Sequence, residues 1–337
     1  MEADLAAGGS QSIRLPVDAK DPFSIWANAG RLVRIIRERG VSLVHVRSRA
    51  PAFSVLRAAR ISGVPVVATY HGIYQARSGL KRWYNAVMTR GDLTLANSAF
   101  TRDHIIAEHR LDPARIVVVP EGIDTARFDP AAVGSERVAA LRGAWGLTDD
   151  DPRPIILLAA RLTGWKGQTT AIAALARLTG PTAPRLVLAG KAQKPGAAEA
   201  LEAAARAAGV SDRVRLVGAV EDMPAAYALA DLVIAPSTLP ESFGRGVAEA
   251  AAMGRPVIAS PLGGPAETIV HAETGWLAPP GDPEAWTAAI GHALALTSDA
   301  RAAIGAAARA RIVSHFSLEA MAAGTFAVYR RLLEARA

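Results

Sequence analysis

Short apolar runs alternate along this chain with stretches whose apolar residues recur every three or four positions, and that alternation restricts the fold more than any other feature. VSLVHVRS, VPVVATY, DLTLANS and RIVVVPEG are separated by AFSVLRAARIS, LKRWYNAVMTR and AFTRDHIIAEHRL. Brief runs rich in Val, Ile and Leu make strands buried on both faces, and a helix between consecutive strands returns the chain so that they lie parallel. After the Asp- and Pro-rich GIDTARFDPAAVG the pattern restarts with RPIILLAAR, PRLVLAG, VRLVGAV, DLVIAPS and RPVIASP, and helices are expected near 166–179, 196–208, 223–230, 245–253 and 282–297. The expectation is an α/β chain of two Rossmann-like, doubly wound domains joined near residues 125–145. Ligands of such sheets bind beyond the carboxyl ends of the strands, so the expected site is a central cleft between the domains.

Composition narrows the function classes. The chain has 337 residues, half of them apolar and a fifth charged, which suffices for two domain cores and argues against disorder. No apolar run reaches the length of a membrane span, and MEADLAAGGSQS has neither the basic start nor the apolar centre of a signal peptide, so a cytoplasmic protein is expected. Absence of cysteine excludes disulfides, thiolate catalysis and thiolate zinc sites. The formal charge of +7 is concentrated early: from Arg14 to Arg110 there are 16 Lys or Arg against 6 Asp or Glu, an excess of 10. Such a field suits an anionic membrane surface or an acidic acceptor, and ordinary solvated arginines equally; no nucleic-acid motif accompanies it.

Strand ends supply the candidate residues. Arg161 closes RPIILLAAR and Lys166 follows in ARLTGWKGQ at the start of an expected helix. Two cations at a helix N-terminus suit a diphosphate, and solvated charges fit the same segment. VRLVG ends at Gly218, and the backbone from Gly218 to Met223 is placed to meet a base edge. In APSTLPESFGRG, Gly244 and Gly246 permit close backbone approach, and the amides of Phe243, Gly244 and Arg245 can face phosphate or sugar oxygens. Glu241 and Glu249 sit among Ala, Gly, Phe and Val and read as lacking the cation three or four residues away that a solvated glutamate has. Buried carboxylates are costly without partners, and a diphosphate would repel them, so neutral hydroxyls are their fitting partners.

Arg161 with Lys166, Glu241-x7-Glu249, PLGGPAE with Gly263, Gly264 and Glu267, ETGWLAPPGD and the terminal HFSLEAMAAGTFAVYRRLL together resemble the retaining glycosyltransferases of family 4, the glycosyl transferases group 1, which have the GT-B fold. The resemblance spans essentially the whole chain. It implies an acceptor-side domain over 1–130, a nucleotide-sugar-binding domain over 131–316 and a terminal helix, 317–337, packing back on the first. It also implies transfer with retention from a nucleotide sugar, a UDP-sugar being favoured, without metal or other cofactor. Arg161 and Lys166 would hold the diphosphate, Glu249 the ribose and Glu241 the donor sugar, with Gly218, Met223, Ser242, Phe243, Gly244, Gly263 and Gly264 completing the donor site. His71, ending VVATYHG, would hydrogen-bond the sugar rather than act as a base; a loop histidine helping the turn before Gly72 fits the same place. With the leaving phosphate taking the acceptor proton, catalysis would be mostly electrostatic.

The acceptor face is expected to be basic and aromatic, from Arg47 and Arg49 in RSRAP and Arg77, Lys81 and Arg82 among Tyr74, Trp83 and Tyr84. That suits a glycan or lipid-linked acceptor in lipopolysaccharide or other envelope synthesis, at the inner face of a membrane; aromatics packing on the core fit too. Asp149 to Asp151 read as a solvated turn before a strand rather than a metal-binding DxD pair. Relative to the family, the opening strand, glycine-rich loop, helix and second strand are missing, and the expectation is an incomplete N-terminal domain, through a start placed too far downstream in the favoured reading, or because the chain is a fragment or a degenerate protein. A nucleotide-sugar epimerase of GT-B fold and a truncated, non-catalytic nucleotide-sugar-binding protein are the alternatives.

Overall fold

In the computed structural model, which describes residues 8–76, 78–148 and 150–336, every one of these apolar runs contains a strand. Two units result. The first takes the described residues of Met1–Asn97, Arg102–Val118 and Thr325–Ala337; the second comprises Ser98–Thr101 and Val119–Gly324.

The first unit holds a four-stranded parallel sheet in the order β1-β2-β3-β4, formed by Val44–Val46, Val66–Tyr70, Leu93–Ala96 and Ile116–Val118. Helix α1, Pro22–Glu38, has Asp21 as its N-cap, accepting from the Ser24 amide at 2.8 Å, with proline just inside its start. It packs on α2, Arg49–Ser62, which ends at Gly63 in the left-handed conformation (φ 73°) that glycine adopts without strain. A short helix α3, Gly79–Asn85, follows, and α4, Ala99–His109, leads into β4. The core beneath these helices is built on Val46, Val55, Tyr70, Met88 and Ile105.

The second unit opens with α5, Ser135–Ala144, preceded by Phe128, which is buried in the core; the stretch 125–145 therefore contributes structure of its own. A six-stranded parallel sheet follows in the order β10-β9-β8-β5-β6-β7. Its strands are β5 Ile155–Ala159, β6 Arg185–Ala189, β7 Val214–Gly218, β8 Leu232–Ala235, β9 Val257–Ala259 and β10 Trp276–Leu277. The connecting helices are α6 Gln168–Arg177, α7 Ala197–Ala207, α8 Met223–Leu229, α9 Arg245–Ala252, the single turn α10 Pro265–Thr268 and α11 Pro283–Ala295. Then come α12, Ser298–His315, and α13, Leu318–Glu334, of which the residues from Thr325 on belong to the first unit. Two apolar clusters cover the sheet, one containing Leu157, Val233 and Val257, the other Ile156, Leu158 and Ile234. Successive residues of β5 and β8 thus face opposite cores, as a sheet with helices on both faces requires.

Of Asp149–Asp151, Asp149 lies outside the described residues and Asp150 is an exposed turn residue as expected, but Asp151 departs from the expectation. Asp151 is not solvated: its carboxylate is nearly buried, accepts from Arg153 at 2.9 Å and pairs with Arg185 as well. The bond from Arg153 and the two cations hold its pKa well below the usual carboxylate range, overcoming the effect of burial. It serves as an anchor for the segments entering β5 and β6.

Candidate functional site

Strand order locates the site in the second unit. The chain runs outward from β5 to β6 and β7, then returns to β8 on the other side of β5. Loops leaving β5 and β8 therefore diverge, and ligands of open parallel sheets bind at such a switch point. The β5 loop carries Arg161 and Lys166; the β8 loop carries Ser237 and Glu241. Lys166 Nζ lies 2.7 Å from Glu241 Oε1, both side chains about 14% exposed, and Ser237 Oγ donates to the same oxygen at 2.5 Å. Beneath them a cavity of about 30 Å³, lined by Ala159, Ala160, Ala235 and Gly246, is the size of a water molecule and too small for a substrate. Lys166 is not itself helical: Gly167, at φ 74°, separates it from α6, and a Cβ there would strike the Pro236 carbonyl. The two loops are in backbone contact at this point, which is how an ion pair between residues distant in sequence is held in place.

The glycines of PLGGPAE act by the same close approach. A Cβ on Gly263 (φ 82°) would lie 2.1 Å from the Glu241 carbonyl oxygen, and one on Gly264 would lie 2.3 Å from Phe243 Cα. Glu241 donates its amide to the Leu262 carbonyl at 3.2 Å and accepts the Gly264 amide at 2.8 Å. The 260–264 loop is thereby zipped to the turn that starts α9. The Gly264 amide is accordingly spent on protein and is not free to meet a ligand. Phe243 is buried against Phe316, ring centroids 6.0 Å apart, leaving only its backbone to serve a ligand. Gly244, at φ 86°, occupies the N-cap of α9, where the helix dipole favours an anion.

Neither glutamate lacks a cation, which corrects the reading above. Glu241 has Lys166, supplied by another loop, and Glu249 has Arg245 one helical turn before it, at 3.0 Å. Arg245 also reaches Glu121 at 3.2 Å, and Tyr227 donates its hydroxyl to Glu249 Oε2 at 3.3 Å. Burial nevertheless pushes the Glu249 carboxyl above its ordinary pKa, with Arg245 and Tyr227 opposing, and burial with the adjacent Glu249 pushes the Tyr227 hydroxyl well up. Arg161 is exposed, and its guanidinium makes no ion pair or hydrogen bond among the described residues. Gly218 closes β7 at φ 72°, its carbonyl accepting from Gly190; Met223 opens α8 behind Asp222, which caps that helix and binds Arg137 at 2.6 Å. Ser242 sits in the turn between Glu241 and Phe243. Glu267 is a cap rather than a ligand group: its oxygens take the amides of Ala99 and Phe100, each at 2.8 Å, in the 98–101 stretch of the same unit.

In the first unit, His71 and Arg47 meet beyond the ends of β2 and β1, Arg47 Nε donating to His71 Nε2 at 3.2 Å, while Asn97 donates to the His71 carbonyl. The other acceptor candidates are dispersed. Arg49 stacks over Tyr74 at 4.1 Å and donates to Asn85 at 2.7 Å, Arg82 pairs with Glu108 at 2.8 Å, Lys81 lies exposed over Tyr84, and Arg77 falls outside the described residues. Among the described residues no group of three or more His, Asp or Glu is placed to hold a metal ion, and no helix is long and apolar enough to cross a membrane.

Comparison with known proteins finds matches over parts of both units. The family model for glycosyl transferases group 1 matches residues 153–295, and that for glycosyltransferase family 4 matches residues 5–127. This chain belongs to the family 4 glycosyltransferases. The D-inositol 3-phosphate glycosyltransferase of Xylanimonas cellulosilytica is 37% identical over 256 residues, covering 74% of this chain and 59% of its own length. That of Segniliparus rotundus is 32% identical over 287 residues, covering 80% and 62%. The chain thus spans about six tenths of the length of these relatives. Among solved structures, a glycosyltransferase from Rickettsia africae ESF-5 superposes with a TM-score of 0.89 at 29% identity, over 98% of this chain and 87% of that one. Anabaena Alr3699/HepE in complex with UDP and glucose shares the fold, with a TM-score of 0.77 at 24% identity over 90% and 80%. The α/β architecture with two parallel sheets is the GT-B one.

Within this family 4 glycosyltransferase, the structure adds residues that the sequence reading passed over. Ser237 and Tyr227 hydrogen-bond the two glutamates; Ser237 does so from four residues before Glu241 on the same loop, whereas Tyr227, 22 residues before Glu249, reaches its partner only through the fold. Arg245 likewise lies four residues before its partner Glu249. His45 is bracketed by Tyr329 Oη, 2.5 Å from Nδ1, and Thr69 Oγ1, 2.6 Å from Nε2, contacts that no sequence spacing announces.

Proposed function

We propose that this chain transfers a sugar from a nucleoside diphosphate sugar to an acceptor hydroxyl with retention of configuration. The observation that carries the reading is the switch point of the second unit. There Arg161 and Lys166 lie on the loop leaving β5, Glu241 on the loop leaving β8 pairs with Lys166, and Gly244 starts α9 three residues after Glu241. A diphosphate takes its charge compensation from Arg161, Lys166 and the α9 amides, which stabilise it most as the glycosidic bond breaks and negative charge gathers on it. Lys166 is already oriented by Glu241 and Ser237, so little reorganisation accompanies that step. Glu249, its pKa raised by burial, accepts from ribose hydroxyls that replace water. Glu241 keeps a second oxygen for the donor sugar. His71, whose Nε2 accepts from Arg47, is the first unit's candidate for contact with a sugar. The leaving phosphate takes the acceptor proton, and no step requires a metal.

UDP is the first donor nucleotide to test, since the Anabaena protein of the same fold was crystallised with it. The acceptor on this reading is a phosphorylated or lipid-linked glycan of envelope synthesis, lipopolysaccharide included. The curated relatives named for inositol 3-phosphate transfer make a phosphate-bearing acceptor the chemistry to try beside it. UDP, GDP and ADP are screened by thermal shift, then the corresponding sugars by nucleotide release. Stabilisation by one nucleotide, lost in both Lys166→Ala and Glu249→Ala, supports the reading. Absence of any shift, or a shift that survives both substitutions, rejects it; conversion of the donor without an acceptor indicates an epimerase instead.

A further inference from the structure

The first unit carries an apolar groove that takes in Lys81, Trp83 and Tyr84 of the expected acceptor face and extends beyond them to α1 and α2. Its walls come from the start of α1, from α2 and from α3, and Ile25, Trp26, Phe53, Leu80, Trp83 and Tyr84 line a space of about 780 Å³. These side chains are not a core turned inward: Trp26 is 61% exposed, Leu80 77% and Trp83 52%, and Phe23 beside the groove is 78% exposed. Scattered exposed apolar residues need no explanation, but several around one concave space mark a binding surface. The rings are already ordered, Phe53 lying 5.5 Å from Trp83 and 5.6 Å from Tyr84 between centroids.

The groove does not end in neutral surface. A second cavity of about 870 Å³ shares Phe53 and Arg57 with it and is bordered by Arg60, Arg90, Arg115 and Arg336, with Asp92 its one acid among the described residues. Asp92 is compensated by Arg336 at 2.7 Å, and Arg115 is turned onto the carbonyls of Thr89 and Gly91. Arg57 and Arg60 are exposed and form no hydrogen bond or ion pair among the described residues, and Arg90 lies 5.1 Å from the Trp83 ring. Lys20 and Lys81 stand at the groove itself. An apolar channel lined by tryptophan and opening onto uncompensated arginines complements one kind of molecule: an amphiphile with a hydrocarbon chain and an anionic head. A second copy of this chain would set arginines against arginines across an isologous contact, which the charge disfavours.

We propose that this face of the first unit docks on an anionic lipid surface, a lipid chain entering the groove between Trp26 and Trp83 while its phosphate rests on Arg57 and Arg60. Tryptophan at the interface and arginine at the headgroup level are the placements a bilayer surface favours. Such docking needs no membrane-spanning helix and is independent of the donor site.

The test uses the full chain with vesicles of phosphatidylcholine alone or mixed with phosphatidylglycerol, followed by sedimentation and by tryptophan quenching from brominated acyl chains. Binding that requires phosphatidylglycerol, weakens with salt and brings quenching is the expected result. Trp26→Ser with Trp83→Ser is expected to lose the quenching and at least about tenfold in binding, because two large rings no longer leave water. Arg57→Glu with Arg60→Glu is expected to remove the phosphatidylglycerol dependence, losing roughly tenfold or more. All four positions are exposed, and circular dichroism with thermal unfolding verifies that the variants fold. No phosphatidylglycerol-dependent binding, binding without quenching, or undiminished binding by the tryptophan variant overturns the proposal. So does a concentration-dependent dimer that the tryptophan substitutions dissolve, since the groove is then filled by a second copy. Equal competition by glycerol phosphate, with no gain from the acyl chain, would identify a soluble-anion site and overturn it as well.

Discussion

At His45 the imidazole is pressed between Tyr329 and Thr69 with Arg47 and His71 nearby, and burial first, then those two neighbours, hold its pKa down to about 4. In the unfolded chain the same ring titrates near 6.5. Stability from this group is therefore complete above pH 6.5 and is lost as pH falls from 6.5 to about 4, where the unfolded chain binds a proton that the folded one refuses. Because the ring is only partly buried, the expected loss is about 1–2 kcal/mol rather than the full linkage value. Thermal melts across that window are expected to show this decline in the wild type and a flatter profile in His45→Asn. Glu249 has the opposite sign of shift. Its folded pKa lies above the unfolded one, so its contribution is most favourable below the ordinary glutamate value and diminishes as pH rises through the folded value. Glu249→Gln is expected to melt at pH 7 within about 1 kcal/mol of the wild type or above it, while losing stabilisation by UDP. A variant that simply unfolds would show that Glu249 is structural.

Between elements, the glycine contacts decide the shape of the loops that follow β8 and β9. Gly264→Ala places a methyl group against the Phe243 backbone, which cannot yield as a flexible side chain would. The expected cost is roughly 1–3 kcal/mol, together with loss of the UDP shift because the turn before α9 is displaced; melts with and without UDP check both. The strands were legible in the sequence because parallel, doubly buried strands need continuous Val, Ile and Leu, as in IILLA and RLVLA. β10 was not, since its two residues Trp276 and Leu277 are too short to show a period. The α1 helix had a readable start in Asp21 and Pro22 that the strand-led reading did not use, and α12 is so rich in alanine that its apolar face is faint. Of the site, the strand-end positions were legible and the pairing was not. Lys166 and Glu241 are joined by the return of the chain across β5, a fact about strand order that neither segment encodes alone.

The whole molecule comprises two units with separate apolar cores, so its unfolding need not be one transition, and each unit carries its own chemical handle. His45 is in the first unit; the Lys166–Glu241 pair and Glu249 are in the second. Acid and nucleotide should therefore act on different parts of the chain. Lowering the pH from 7 to 5 crosses most of the His45 window and is expected to raise amide exchange in β1, β2 and the Tyr329 end of α13, which that ring ties together. Adding UDP at constant pH is expected to slow exchange at the ends of β5 and β8 and in the first turn of α9, by an amount that grows as RT ln(1 + [L]/Kd). Hydrogen exchange read peptide by peptide separates the two responses. If UDP protected the β1 and β2 peptides as strongly as those of β5 and β8, the donor site would not be confined to the second unit. If acid loosened β5 before β1, His45 would not be the group that titrates. The combination in which each perturbation moves only its own unit is the one that this division of charge, burial and strand order requires.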